Sequence, residues 1–296
     1  MLAYVRATRD EKRAPVRDRC SLKHLYPEFT GRGLNIVTAV DVRNYIARRK
    51  AEGAAASTIN KEIGLLSSTI NYARREWGWD LHNPASCCKQ REPEGRVRWI
   101  TREEADRLIF YAEQDSRASH LPDFIRLALN TGMRRGELLG LEWERVDLHT
   151  NLIHLGAQHT KSGKRRSAPL NAEAREAIIR RARFRAEHCP ASQWVFCARS
   201  GRGLGDIKHS FATACKRAGL VAFRIHDLRH TCAAWLVSGG VPLAEVRDLL
   251  GHSSITMTER YAHLAPGNVR AAVAVLDRFR SRSGHAGYDS ELLTVR

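Results

Sequence analysis

Between residues 226 and 261 the chain reads HDLRHTCAAWLVSGGVPLAEVRDLLGHSSITMTERY, and few folds accommodate that order of polar and apolar positions. His226 and Arg229 stand three residues apart, so on a helix they share one face about a turn from each other, a pair able to grip one small anion. The run AAWLV supplies an apolar stripe, Gly239 and Gly240 stop it, and Pro242 opens a second helix on which Leu243, Val246, Leu249 and Leu250 recur at helical spacing. Gly251 ends that helix, His252 sits just past the stop, and Ser254 or Thr256 caps a last short helix carrying Tyr261. Three short helices are expected here, folded so that their polar ends converge.

The first third of the chain reads as helical. Leu22, Leu25 and Tyr26 share a face before Pro27, and Thr38 with Asp41 forms a capping box into a helix through Val42, Tyr45 and Ile46 that ends at Gly53. Ser57 or Thr58 caps the next helix, whose core face carries Ile59, Ile63, Leu66, Ile70 and Trp77 and whose polar side carries Lys61, Arg74 and Arg75. The sequence WGWDLHNP ends it, and residues 84–98 are polar, charged and proline-containing, as in a linker. Expected boundaries are a helical domain at 1–88, a linker at 89–99, a second domain at 100–281 and a flexible tail at 282–296.

Beyond the linker, Thr101 and Glu104 form a second capping box, Pro122 starts a helix through FIRLALN, and Thr131-Gly132 breaks it ahead of TGMRRGELLGLEWERVDL. Over residues 144–170 the period changes, and RVDL, LIHL and SAPL predict a small antiparallel sheet whose last hairpin has Lys161, Ser162, Gly163 and Lys164 at its tip. Asn171 caps a long helix, 194–196 reads as a short strand, and a helix through Phe211 and Ala214 ends at Gly219. Residues 268–280 read as a helix with Val269, Ala272, Val273 and Leu276 on one face.

Charge narrows the function. Against 32 Asp and Glu the chain has 49 Lys and Arg, a net charge of +17, which points to a polyanionic partner. The excess is spread along the chain: residues 1–98 carry 19 basic and 11 acidic residues, and the remainder 30 and 21. Seven cysteines, an odd number without C-x-x-C spacing, fit free thiols in a reducing cytoplasm. No segment is apolar enough to span a bilayer and none reads as a signal peptide.

With His226-x-x-Arg229, Leu250-Gly251-His252 and Tyr261 downstream and T-G-x-R-x-x-E-L upstream, the chain resembles the tyrosine recombinases, the phage integrase family. The resemblance implies a mainly α fold with a small antiparallel sheet: a helical, SAM-like core-DNA-binding domain followed by an α+β catalytic domain. By position it makes Arg134 the first catalytic arginine, Glu137 its acidic partner, Lys161 the lysine of the hairpin, and Tyr261 the nucleophile. Lys164, Arg165 and Arg166 stand close to Lys161, and a basic hairpin that simply touches backbone phosphates is the alternative to a catalytic Lys161.

The chemistry so implied is transesterification at a DNA phosphodiester. Two guanidiniums, Arg134 and Arg229, suit a clamp on two phosphate oxygens. With His252 as a further donor no metal is required, and no cofactor is expected. A phenol at Tyr261 leaves more readily than an alkoxide, so its phosphate ester stays poised for reversal. Lys161 would protonate the leaving oxygen, while His226 would take the tyrosine proton or orient the phosphate. Glu137 would hold Arg134 or His226, and His230 and His263 match no role. The expected partners are double-stranded DNA with an inverted-repeat core site and a homo-tetramer joining two such sites, with accessory bending or directionality factors possible and no membrane. The expected setting is the bacterial cytoplasm at the nucleoid. Residues 1–25 are too short for a separate arm-binding domain, so the chain should read only the core site or be part of something longer. Two alternatives stand beside this reading: a type IB topoisomerase, and an inactive DNA-binding regulator on the same fold.

Overall fold

The computed structural model describes residues 1–12, 15–93, 95–160, 163 and 165–265, together with 273, 274 and 276. Two compact units, Met1–Arg96 and Val97–Arg296, each enclose their own core.

The first unit is helical: α1 (Leu2–Ala7), α2 (Pro15–Phe29), α3 (Ala39–Ala51) and α4 (Ala56–Glu76). The Thr38 hydroxyl accepts from the Asp41 backbone N–H and the Asp41 carboxylate accepts from that of Thr38, so α3 begins on the expected reciprocal cap. On α4 the residues Ile59, Ile63, Leu66 and Ile70 are buried against Leu25, Val42, Tyr45 and Ile46. Beneath that face Glu62 accepts from the Tyr45 hydroxyl (2.9 Å) and, bidentately, from Arg49 (3.0 and 2.9 Å), tying α3 to α4 with a buried ion pair. After α4, the Asn83 amide donates to Ser67 and Asn71 while its oxygen accepts from Ala85 N–H, which folds the chain back along the helix.

Several expectations for this unit need correction. Neither Ser57 nor Thr58 caps α4, which starts at Ala56 after an uncapped Ala55. Pro27 lies inside α2, near enough to its end that little more than one backbone bond is lost. Tyr26 and Trp77 are exposed, Trp77 standing edge-on to Tyr72 and beside Trp79.

The second unit contains α5 (Arg102–Glu113), α6 (Leu121–Thr131), α7 (Arg135–Leu139), β1 (Val146–Asp147), β2 (Leu152–Leu155), β3 (Arg166–Pro169), α8 (Ala172–His188), α9 (Lys208–Arg217), α10 (Ile225–Ser238), α11 (Leu243–Leu250) and α12 (Thr256–Glu259). The fold is thus mainly α with a small antiparallel sheet of order β1-β2-β3, in which Ile153 lies opposite Val146 and Ala168. Helix α6 is buried on nearly every side, so it forms the centre of the unit with α5, α8 and α10 packed around it. Residues 194–196 do not form a strand: only isolated bridges from Glu142 to Trp194 and from Cys197 to Gly203 occur, and Val195 and Phe196 are buried among loops. Most of the helix expected at 268–280 lies outside the described residues. All seven cysteines are free, and no helix among the described residues is long and apolar enough to cross a membrane.

Candidate active site

A left-handed turn starts the site. Gly132 ends α6 at φ 61°, and a Cβ there would land on Leu250 Cδ2 and lie 3.3 Å from Cys232 Sγ, so the T-G turn requires glycine for backbone and for space. Arg134 follows as the N-cap of α7. Glu137, three residues on and buried, reaches back: it accepts from the Arg134 backbone N–H (2.8 Å) and from Arg134 Nη1 (2.8 Å).

The other wall is the end of α11. Its last carbonyls have no partner inside the helix and carry the negative end of the helix dipole. Three guanidiniums take them in succession: Arg166 Nη1 donates to Leu249 O (2.7 Å), Arg229 Nη2 to Leu250 O (2.7 Å) and Arg134 Nη2 to Gly251 O (3.1 Å). Arg229, from α10, also donates to Gly132 O (2.7 Å), joining both glycine turns. Burial, then the like charges of Arg134 and Arg166, brings the Arg229 pKa down to about 9, which still leaves it a cation at neutral pH. Among these side chains Arg134 is the open one, 19% exposed against 9% for Arg166.

His252 lies one residue past the Gly251 turn, with Nδ1 2.8 Å from Thr258 Oγ1. Burial and the neighbouring Arg229 and Arg134 lower its pKa to about 3, so it is a neutral imidazole in this cation-rich setting. A cleft of about 520 Å³ opens beside it, lined by Arg165, Arg166, Arg247, Ser253 and Ser254 among others.

Tyr261 is 1% exposed and packs with Ala233, Val246 and Leu250 in a small core of its own. Its hydroxyl is hydrogen-bonded to His230 Nδ1. Burial pushes the phenol up to about 12 and the His230 imidazole down to about 4, so both partners are neutral. His226 is exposed on α10, its ring edge-on to His230 at 4.9 Å between centroids.

The structure therefore gathers Arg134, Glu137, Arg229 and His252 at the end of α11 and places Tyr261 on His230, while Lys161 lies outside the described residues. His226 and Arg229, expected to grip one anion together, differ: one is exposed, the other buried on two carbonyls. Sequence reasoning set Arg166 on a hairpin touching backbone phosphates and gave His230 no role, whereas Arg166 turns inward onto Glu137 and Leu249 O and His230 meets the Tyr261 hydroxyl. Alternation along β3 did carry a signal for Arg166, since it shares a sheet face with buried Ala168. For His230 no such signal existed, because its partner lies 31 residues away. Among the described residues no group of three or more His, Cys, Asp and Glu forms a metal-holding cluster.

Residues 98–267 match the model of the phage integrase family. The chain is 30% identical to the integrase of Salmonella phage P22 over 77% of its own length and 59% of that protein's, so it spans about three fifths of that relative. It is 29% identical to the tyrosine recombinase XerC of Azotobacter vinelandii, over 90% and 89% of the two chains. Among solved structures, the Tn1549 transposon integrase in complex with transposon right end DNA shares the fold at a TM-score of 0.72, with 19% identity and 94% and 98% coverage. The lambda integrase dimer bound to a core site does so at 0.69, with 18% identity and 88% and 75% coverage.

Proposed function

The chain belongs to the phage integrase family, and from that premise we propose that it is a site-specific DNA recombinase cutting and rejoining strands through a covalent 3′-phosphotyrosine. The observation that supports the proposal is the seating of Arg134 and Arg229 on adjacent carbonyls beside His252, with Tyr261 buried in one cluster with Val246 and Leu250 of the same helix. Guanidiniums so fixed need no reorganisation when charge develops on a phosphorane.

In the proposed reaction the Tyr261 oxygen attacks phosphorus, the bond to the 5′ oxygen breaks, and Arg134, Arg229 and His252 hold the non-bridging oxygens. Lys161 gives its proton to the leaving oxygen. The phenol proton has His230 as its nearest acceptor, and His226, packed on that ring, orients the phosphate or receives the proton in turn. Burial holds the Tyr261 phenol near 12 and the His230 imidazole near 4, so the proton stays on oxygen until the phosphate and its cations are in place. Glu137 keeps Arg134 in place.

The proposed partner is double-stranded DNA carrying an inverted-repeat core site, gripped by the helical first unit and by the basic second one. Four copies would join two sites, as the lambda integrase tetramer is bound to a Holliday junction. Action on nucleoid DNA in the cytoplasm, with or without bending factors, belongs to the same proposal.

The test is to incubate the protein with DNA of its own element and host, quench in denaturant and sequence the DNA ends attached to protein. Adducts at one short inverted-repeat site through a 3′ phosphate are expected. Adducts scattered over the DNA would replace this reading with a topoisomerase, and their absence would leave a binder.

A further inference from the structure

Arg166 belongs to no role assigned so far, yet it is among the most constrained side chains in the second unit. It leaves β3 and enters the interior, where Nη2 donates to Glu137 Oε2 (2.6 Å) and Nη1 donates to Leu249 O (2.7 Å). Glu137 uses its other contacts on Arg134, so one carboxylate links the two guanidiniums. A Cβ on Gly251 would meet Arg166 Cδ at 2.7 Å and Nε at 2.8 Å. The glycine before His252 is therefore needed twice, for its φ of 62° and because the Arg166 side chain lies across it.

We infer that Arg166 is a positioning residue for strand cleavage: by holding Glu137 and the end of α11 at once, it sets Arg134 and the Gly251-His252 turn on the phosphate. The inference rests on the proposed recombinase activity. The physical reason is geometric. A buried carboxylate with a single arginine pivots about that contact, whereas one held from β3 and from α7 does not. Leu249 O, Leu250 O and Gly251 O are consecutive, so the same three guanidiniums that fix Glu137 and Gly132 also fix the rotation of the helix end that presents His252. Arg166 lies five positions after Lys161 in sequence, and its hold also ties the strand leaving the hairpin to the clamp.

The experiment is single-turnover cleavage by the full chain of a nicked duplex bearing the site recovered by adduct mapping, compared with the same duplex carrying a neutral methylphosphonate at the scissile position. Arg166→Met is expected to cut the charged substrate about 100-fold more slowly, the loss typical of a small displacement at a reacting centre. Duplex affinity should stay within about threefold, because the step lost is not ground-state binding. On the methylphosphonate the deficit should shrink to below about tenfold, since a misaligned cation matters less where the phosphate bears no charge. Arg166→Lys keeps a buried cation, and so a fold, but cannot serve Glu137 and Leu249 O as a fork; a rate between the two is expected. If Arg166→Met fails to melt cooperatively, the lysine variant decides alone. A wild-type rate in that variant, or an equal deficit on both substrates, overturns the inference while leaving the recombinase reading intact. Absence of any Tyr261-dependent adduct with the wild type would instead overturn the reading, and this inference with it.

Discussion

Replacing Gly132 by alanine tests how the two glycine turns build the clamp. At φ 61° an L residue pays roughly 1–2 kcal/mol for the left-handed conformation. The added methyl lands on Leu250 Cδ2 and 3.3 Å from Cys232 Sγ, a site walled by α10 and α11, so overpacking adds roughly 1–3 kcal/mol. Together the loss is about 2–5 kcal/mol, or on the order of 5–15 °C in Tm for a unit of this size. Displacing Leu250 also moves the carbonyl that Arg229 uses, and Gly132 O is its other anchor, so cleavage should fall further than stability alone explains. Thermal and urea melts of wild type, Gly132→Ala and Gly64→Ala measure this. Gly64 lies inside α4 with nothing within 4 Å of an added Cβ, and its alanine variant should gain about 0.5–1 kcal/mol. A Gly132→Ala protein melting within about 0.5 kcal/mol of wild type would refute the reasoning.

The remaining expectations concern charge. His230 and His252 have folded pKa values lowered to about 4 and about 3 from an ordinary 6.5, so above pH 6.5 both states carry them neutral and stability is full. As pH falls below 6.5 the unfolded chain takes up protons that the folded one refuses, and Tm should drop; Gln at both positions should reduce the slope, and a Tm that rises on acidification would contradict the burial argument. Glu62→Gln removes the buried negative charge that Arg49 pairs with and leaves one acceptor oxygen where Tyr45 and Arg49 now share two, and should cost about 3–5 kcal/mol in the melt of the first unit. Arg229→Lys keeps the charge but cannot bridge Gly132 O and Leu250 O; cleavage should fall about 10²–10³-fold with duplex binding, read by gel shift, largely kept.

Local chemistry was the legible part of the sequence. Both capping boxes, at Thr38 with Asp41 and at Thr101 with Glu104, form as their spacing requires, because such a cap is decided within four residues. The sheet was legible through alternation and turn residues, and the Gly132 and Gly251 turns through glycines at helix ends. What failed was decided at a distance. Residues 194–196 have strand composition, yet their neighbours are the loop at Leu141 and Glu142 and the turn at Gly203, which offer isolated bridges only. Trp77 continues the apolar stripe of α4 but lies past the helix end, where it meets Tyr72 and Trp79 at the surface. In the site, Arg134, Glu137, Arg229 and His252 could be singled out because the motif names them, whereas Arg166 and His230 act through partners 29 and 31 residues away.

The measurement that bears most directly on the account is mass spectrometry of the peptide left on trapped DNA after proteolysis. A nucleotide joined through its 3′ phosphate to the Tyr261 oxygen is expected, with no adduct from Tyr261→Phe. A nucleotide on any other residue, or adducts that persist in Tyr261→Phe, would contradict it.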